Sequence, residues 1–308
     1  MLAAVLAGPC HFELREEPIP EPGPRQVRVR LEGCGVGASN ILPWEGRPWF
    51  QYPFSAGSPG HEGWGRIDAL GSDVTGVTVG ERVGMLSTNA FAQYDLAEKG
   101  ALVRLPESMD GQPFPAEPLG GVVNVFRRSL MAKGDRVAIV GIGFLGALLA
   151  QLAAAAQARV VAIGRRPCSL AMAKRMGAEH AIAADAAREA NDGERFDIVI
   201  EAAGKPEALS LAGELTRERG RLVIAGRHRE EAADLPFWNR RGIDVINAHE
   251  PSLAVCMEGM REAVAAVDSG LIDPAPLYTH WLTLERLDEA MRLCRDRPEG
   301  FMKALIRC

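Results

Sequence analysis

Two short stretches near the start of the chain carry residue types able to do acid–base or metal chemistry. "GCGVGASN" spans residues 33–40 and "GHEGWG" spans residues 60–65. They offer a hydroxyl at Ser39, an imidazole at His61 and a carboxylate at Glu62. An imidazole titrates near neutrality and is a common metal ligand, and a carboxylate beside it can ligate in turn or fix its orientation. Together the stretches look like half of a metal site whose thiolate is missing. A buried, hydrogen-bonded histidine is the plainer reading of His61 taken alone.

A second kind of chemistry is announced by "RVAIVGIGFLG", residues 136–146. Gly141, Gly143 and Gly146 form G-x-G-x-x-G directly after an apolar strand, with Phe144 and Leu145 opening the helix that follows. The first glycine permits a tight turn, the second lets backbone approach a pyrophosphate, and the third lets helix and sheet pack closely. The helix N-terminus presents N–H groups and partial positive charge to phosphate. The next strand, "RVVAIG", ends at Gly164 and is followed by Arg165 and Arg166. An NAD site would place a carboxylate there for the ribose 2′-hydroxyl. Glycine leaves room for a 2′-phosphate and guanidinium groups can grip it, so NADP(H) is expected over NAD(H).

These groups need elements to hold them. Residues 1–118 read as β-rich: "QVRVRLEG" alternates apolar and polar residues, and proline and glycine punctuate "PIPEPGP" and "GSPGHEG". From residue 119 strands and helices alternate: "RVAIV", "GALLAQLAAAAQA", "RVVAIG", "SLAMAKRMGA", "DIVIEAAG", "PEALSLAGELTRERG" and "RLVIAG". That order argues for a parallel sheet covered by helices. "LERLDEAMRLCRD" reads as an amphipathic helix and "GFMKALIRC" as a terminal strand. The expected class is α/β, a β-barrel domain plus a doubly wound parallel-sheet domain.

Bulk properties exclude several functions. The chain has 308 residues, 47% hydrophobic and 24% charged, with a net charge of −5, so neither nucleic acid nor a membrane surface is expected as partner. The six cysteines form no C-x-x-C pair, which argues against a zinc ribbon and for a reducing, cytoplasmic setting. The start "MLAAVLAGPC" reads as a strand rather than a signal peptide. "GFLGALLAQLAAAA" is interrupted by Gln151 and is shorter than the roughly 20 residues of a membrane span.

The chain resembles the medium-chain dehydrogenase/reductase family, the zinc alcohol and sorbitol dehydrogenases. The residues that carry the resemblance are the opening segment through "GCGVGASN", "GHE", "GERV", "GIGFLGALLAQLA", "IEAAGKPEAL" and "KALI". The resemblance implies a GroES-like catalytic domain at 1–118 and 266–308, an inserted Rossmann domain at 119–265, and an active site in the cleft between them. It implies that Ala203 and Gly226 join the cofactor residues, that Lys303 reaches toward the pyrophosphate, and that the protein is a homodimer. Against the family's metal loop, Gly37 stands where the ligand cysteine belongs and Asn40 where an aspartate belongs. Ser39, the proton-relay hydroxyl, remains. His61 and Glu62 match the ligand histidine and its neighbouring acid, and Glu117 in "AEPLGG" matches the sorbitol-type glutamate. Cys34 lies three residues before the lost position, an odd offset that turns it to the other strand face. The four-cysteine structural-zinc lobe is missing.

His61, Glu62 and Glu117 thus form a possible metal set, with zinc left open and a metal-free site preferred. Glu117-Pro118 is equally a helix-start signal. The expected reaction is hydride transfer between nicotinamide and a small alcohol or carbonyl compound, with Ser39 and His61 handling the proton and Glu62 or Glu117 steadying the imidazole. Alternatives are reduction of a quinone or enone C=C bond and a non-catalytic NADPH-binding protein. Trp44, Trp49, Phe50 and Tyr52 would either line a substrate wall or pack beneath a loop, and His249 is a candidate substrate contact.

Overall fold

The computed structural model describes residues 1–189, 195–228 and 233–308. In it the alternation of "QVRVRLEG" becomes burial, with Val27, Val29 and Leu31 buried and Arg30 exposed. In chain order the early elements are strands Leu2–Gly8 (β1), His11–Glu16 (β2) and Gln26–Val36 (β3), a 3-10 turn at Ala38–Asn40 and helix Ile41–Glu45 (α1). Strands Glu62–Leu70 (β4), Arg82–Met85 (β5), Tyr94–Glu98 (β6) and Leu102–Arg104 (β7) follow, then helix Ala116–Ser129 (α2). Next come Arg136–Val140 (β8), Phe144–Ala155 (α3), Arg159–Gly164 (β9), Pro167–Arg175 (α4), His180–Ala183 (β10), Phe196–Glu201 (β11) and Pro206–Leu215 (α5). The chain finishes with Thr216–Ile224 (β12), Leu235–Arg240 (α6), Asp244–Asn247 (β13), Leu253–Asp268 (α7), Tyr278–Thr283 (β14), Leu287–Asp296 (α8) and Lys303–Arg307 (β15).

Contacts divide the chain into two units. One comprises Met1–Gly120, Leu253–Ser269 and Pro274–Cys308, the other Gly121–Ser252 and Gly270–Asp273. The first is built on a seven-stranded sheet of order β14-β15-β3-β4-β5-β7, with β6 pairing β3. Its pairs are antiparallel except β14 with β15. One register break between β3 and β4 falls between Leu31 and Gly33, leaving Glu32 as the extra residue of a bulge. Its core gathers Val27, Val29, Cys34, Trp44, Ile67, Phe91 and Ile306. Asp288 of α8 ties this packing to the rest of the unit, accepting from the Trp44 indole at 2.8 Å and from the Phe12 N–H at 3.1 Å.

The second unit is a six-stranded, wholly parallel sheet of order β10-β9-β8-β11-β12-β13. Its chain order, 3-2-1-4-5-6, is that of a dinucleotide-binding fold with a switch point beside its first strand. The fold class expected from the sequence is therefore the one observed. One element boundary differs. "TRERG" reads as the tail of a helix, but α5 ends at Leu215 and Thr216 opens β12. The Thr216 hydroxyl donates to the Ala212 carbonyl at 2.8 Å while its own backbone turns extended. The Thr216 N–H donates to the same carbonyl, so backbone and side chain together close the last turn as the chain leaves the helix.

Candidate active site

Three neighbouring strands of the first unit converge on one face. β15 and β4 flank β3, with Leu305 opposite Gly35 on one side and Glu62 opposite Gly35 on the other. Paired residues share a sheet face, as do residues two apart on one strand. Gly35, Gly37, Glu62 and Lys303 therefore all point the same way. A Cβ at residue 35 would lie 1.9 Å from Glu62 Oε2, and one at residue 37 would lie 2.5 Å from Glu62 Oε1. The glycines thus open a slot that the Glu62 carboxylate fills. Lys303 reaches in from the far strand, its Nζ 2.5 Å from Oε2 and 2.8 Å from Oε1 of Glu62. Both side chains are at least nine-tenths buried. The sequence expectation put Lys303 toward a cofactor pyrophosphate, whereas its ammonium is held on this carboxylate.

Ser39 and His61 adjoin the slot. Ser39 sits in the 3-10 turn after β3, and its Oγ is 3.0 Å from His61 Nε2. His61 Nδ1 is 2.9 Å from the Pro59 carbonyl. A carbonyl can only accept, so Nδ1 carries a proton and Nε2 turns its lone pair toward the Ser39 hydroxyl. Asn40, fully buried, fixes this corner: its Oδ1 accepts from Gly37 N–H at 2.8 Å and its Nδ2 donates to the same Pro59 carbonyl at 2.8 Å. The 3.3 Å approach of Asn40 Nδ2 to His61 Nδ1 sets one donor against another and is a contact rather than a bond.

Glu117 lies half-buried in the first turn of α2. It joins His61 and Glu62, each offering one ligand atom within 4.8 Å of the others. The chemistry of this set matches a catalytic zinc only in part. A histidine whose second nitrogen donates to a carbonyl is the usual arrangement for a ligand. A Cβ at residue 37 would, however, run into the Glu62 carboxylate, whose Oε1 accepts from Lys303 and whose Oε2 is ion-paired with it but accepts no hydrogen bond. Cys34 is buried in the core with its Sγ 3.4 Å from the Gly35 carbonyl, and burial pushes its thiol well up. With the Glu62 charge already balanced by Lys303, His61 and Glu117 are the two other donors of this set among the described residues, where a catalytic zinc takes three from the protein.

In the second unit the glycine turn after β8 has the shape its spacing predicts. Gly141 adopts φ +104, and a Cβ there would come 2.5 Å from the Ala203 nitrogen. A Cβ at Gly146 would meet the Gly141 carbonyl at 2.1 Å. Gly143 is the N-cap of α3 and brings no side-chain cap; Phe144 and Leu145, half-buried, begin the helix. Such a turn leaves backbone to receive a diphosphate, so the residues present fit a dinucleotide. Gly164 ends β9 buried, Arg165 is exposed, and Arg166 is the half-buried N-cap of α4. Ala203 and Gly226 follow β11 and β12 on the same sheet edge. His249 is exposed in this unit.

Sequence reasoning did not find the Glu62–Lys303 pair, the orienting carbonyl of Pro59, or the buried Glu201 whose carboxylate meets His228. A buried carboxylate in "IEAAG" and a lysine in "KALI" were visible as residues, but their partners were not. Of the four aromatic residues near the front loop, Trp44 is core and Trp49 is largely exposed. The Tyr52 hydroxyl donates to the Pro43 carbonyl. Phe50 bridges Trp49 and Phe54 with ring centroids 6.0 and 5.9 Å away.

Comparison with known proteins agrees with this architecture. Residues 23–165 match the family described as alcohol dehydrogenase GroES-like domain, and residues 145–268 match that described as zinc-binding dehydrogenase. Sorbitol dehydrogenase of Halalkalibacterium halodurans is 27% identical, over 92% of this chain and 92% of its own. Two solved structures superpose at 22% identity, a level that speaks to the fold. An alcohol dehydrogenase from E. coli CFT073 complexed with NADH gives a TM-score of 0.88 over 100% of this chain and 99% of its own. A zinc-binding dehydrogenase from Sinorhizobium meliloti 1021 bound to NADP gives 0.86 over the same shares. On these matches and on its two folded units, the chain belongs to the zinc-type medium-chain dehydrogenase family, as an alcohol-dehydrogenase-like oxidoreductase.

Proposed function

We propose that the protein is an NADP(H)-dependent oxidoreductase that interconverts a small alcohol and its carbonyl compound, with Ser39 and His61 moving the proton and no bound metal. The observation that carries this reading is the Ser39 Oγ to His61 Nε2 contact at 3.0 Å, with the opposite ring nitrogen held on the Pro59 carbonyl. Relatives named sorbitol dehydrogenase and L-threonine 3-dehydrogenase support an alcohol as substrate class.

When bound, the nicotinamide accepts or supplies the hydride. In alcohol oxidation the substrate hydroxyl proton passes to Ser39 Oγ as the Ser39 proton passes to His61 Nε2. The imidazolium so formed keeps its Nδ1–H on Pro59, so the ring need not turn between steps. In carbonyl reduction the same hydroxyl donates to the oxygen on which charge develops. Lys303 supplies the fixed positive charge that keeps Glu62 compensated, a need that zinc would otherwise meet. Glu117, half-buried beside this pair, is free of a required ligand role in this reading. It shapes the polar wall next to His61.

NADP(H) preference rests on the glycine at the end of β9 and the two arginines behind it. A 2′-phosphate would meet guanidinium groups there and no carboxylate at the turn. A homodimer belongs to the same reading: β13 is a sheet edge whose Val245 is exposed, and size analysis in solution tests it. Six free cysteines suit a reducing cytoplasmic setting. Among the described residues no helix is long and apolar enough to cross a membrane.

The test is a steady-state survey of small alcohols, ketones, aldehydes and enones with NADPH and NADH. Turnover of an alcohol–carbonyl pair, faster with the phosphorylated cofactor, is the expected result. Turnover confined to enones would move the assignment to C=C reduction, and tight NADPH binding without turnover would mark a non-catalytic binder.

A further inference from the structure

At the end of β11 the second unit holds a fully buried carboxylate that the reaction described above does not use. Glu201 Oε1 accepts from the backbone N–H groups of Ala203 at 2.7 Å and Gly204 at 2.8 Å. Its Oε2 lies 2.6 Å from Nε2 of His228, which follows β12. The Glu201 main chain joins the same strands, its carbonyl accepting from Ala225 and Gly226 N–H, each at 2.8 Å. One residue therefore ties the segment 202–204 to the segment 225–228. The packing leaves no slack: a Cβ at Gly226 would fall 2.2 Å from Glu201 Oε2 and 2.4 Å from the Gly204 nitrogen. The first segment in turn abuts the glycine turn, since a Cβ at Gly141 would lie 2.5 Å from the Ala203 nitrogen.

Topology says what this knot lies beneath. In a sheet of this order a dinucleotide binds outside the carboxyl ends of the strands, straddling the switch point. Here that point lies between β8 and β11. Arg165 and Arg166, behind β9, mark the adenosine half, so the ends of β11 and β12 underlie the nicotinamide half. A buried carboxylate with two backbone donors and an imidazole holds those loop ends in one shape at a strength a neutral group would not match.

We propose that Glu201 and His228 form a clamp that pre-shapes the nicotinamide half of the cofactor site while leaving the adenosine half untouched. Both are positioning residues, acting through the backbone of 202–204 and 225–228. The proposal rests on the dinucleotide reading above, and its test separates the two. Binding of NADPH and of 2′,5′-ADP, the adenosine half alone, is measured by calorimetry for the wild type, Glu201→Gln, His228→Ala and His228→Gln.

Glu201→Gln and His228→Ala should weaken NADPH about 10- to 100-fold, the range for losing a hydrogen bond to a charged group. Their affinity for 2′,5′-ADP should stay within about twofold, since its 2′-phosphate would be held behind β9, away from the ends of β11 and β12 that the clamp joins. His228→Gln, which keeps a donor of similar reach, should recover much of the loss. Retained 2′,5′-ADP binding also shows that each variant is folded. Parallel weakening of both ligands would make the pair a general structural support and overturn the clamp, as would unchanged NADPH affinity. If the wild type binds 2′,5′-ADP but gains nothing from the nicotinamide half, the clamp falls alone. If it binds neither probe, the proposed function falls with it.

Discussion

Lys303 and Glu62 sit on strands that flank β3 without touching each other, and their buried side chains meet across it because residues 35 and 37 are glycines. Strands two apart in a sheet are separated by roughly 9.5 Å, a gap that a lysine and a glutamate can close over a strand without side chains. Removing one partner leaves a buried, uncompensated charge. Lys303→Met should therefore lower the unfolding free energy by about 3–5 kcal/mol, while Lys303→Met with Glu62→Leu should recover much of it. Denaturant titration of the single and double variants measures this, and an unaffected single variant would show that the pair contributes nothing.

Because residue 37 brings no thiolate and the Glu62 charge is already balanced by Lys303, protein purified without chelators should contain well below one zinc per chain. Chelator treatment should leave turnover unchanged. Elemental analysis decides the point; stoichiometric zinc whose removal abolishes activity would reverse the reading of Lys303 as the resident cation.

The Ser39–His61 contact implies a loss confined to the chemical step. His61→Ala should reduce kcat by about 10²- to 10⁴-fold, the usual worth of a positioned acid–base group. Ser39→Ala should act in the same direction. NADPH affinity should be unchanged in both, as read by fluorescence titration. Loss of affinity in step with turnover, or full activity, would remove His61 from the proton path.

Arg165 and Arg166 follow the glycine that ends β9. Replacing both with Ala should weaken NADPH at least about 10-fold, one charge-assisted bond's worth. NADH affinity should hold. Gly164→Asp should go further and favour NADH, since the carboxylate would repel a 2′-phosphate and accept from a ribose hydroxyl. A wild type that binds NADH at least as tightly would refute the selection outright.

Acid stability should carry a contribution from Glu214. Its hydrogen bonds with Arg188, at 2.6 and 3.1 Å, hold its carboxyl below the ordinary value of 4.5. A folded pKa below the unfolded one adds stability at pH above the unfolded value, and that stability is lost as pH falls through the folded one. From about pH 4.5 downward the wild type should therefore lose stability faster than Glu214→Gln, with the two curves parallel above pH 6. Thermal melts across that range test the sign.

What the sequence disclosed and what it withheld divide along chain separation. The glycine turn from Gly141 to Gly146 was legible because all its parts lie within six residues and its constraints are local. The alternation in β3 was legible for the same reason. Ser39 and His61 could be nominated from resemblance, but the carbonyl of Pro59 that sets the tautomer is backbone and leaves no trace in residue type. Lys303 and Glu62 are 241 positions apart, and nothing in either segment names the other. The tail of α5 was overextended because "TRERG" is polar and favours no particular structure; in the fold Thr216 already pairs with Phe196 of β11, residues 217–220 loop out of register with Arg219 at φ +55, and pairing resumes at Arg221.

The bulge at Glu32 has a consequence for charge placement. If the bulge were ironed out with the sequence intact, the pairing that joins Leu31 to Gly65 would run on unbroken, and Glu62 would stand opposite Cys34 instead of Gly35. Its carboxylate would then face a thiol in an oily interior, out of reach of the ammonium, and a frame slip of a few ångströms would become an electrostatic fault. The Arg82 guanidinium, 2.7 Å from Glu32, thus pins more than a surface irregularity. It keeps the reading frame between two strands on which a buried cation and anion depend to find one another.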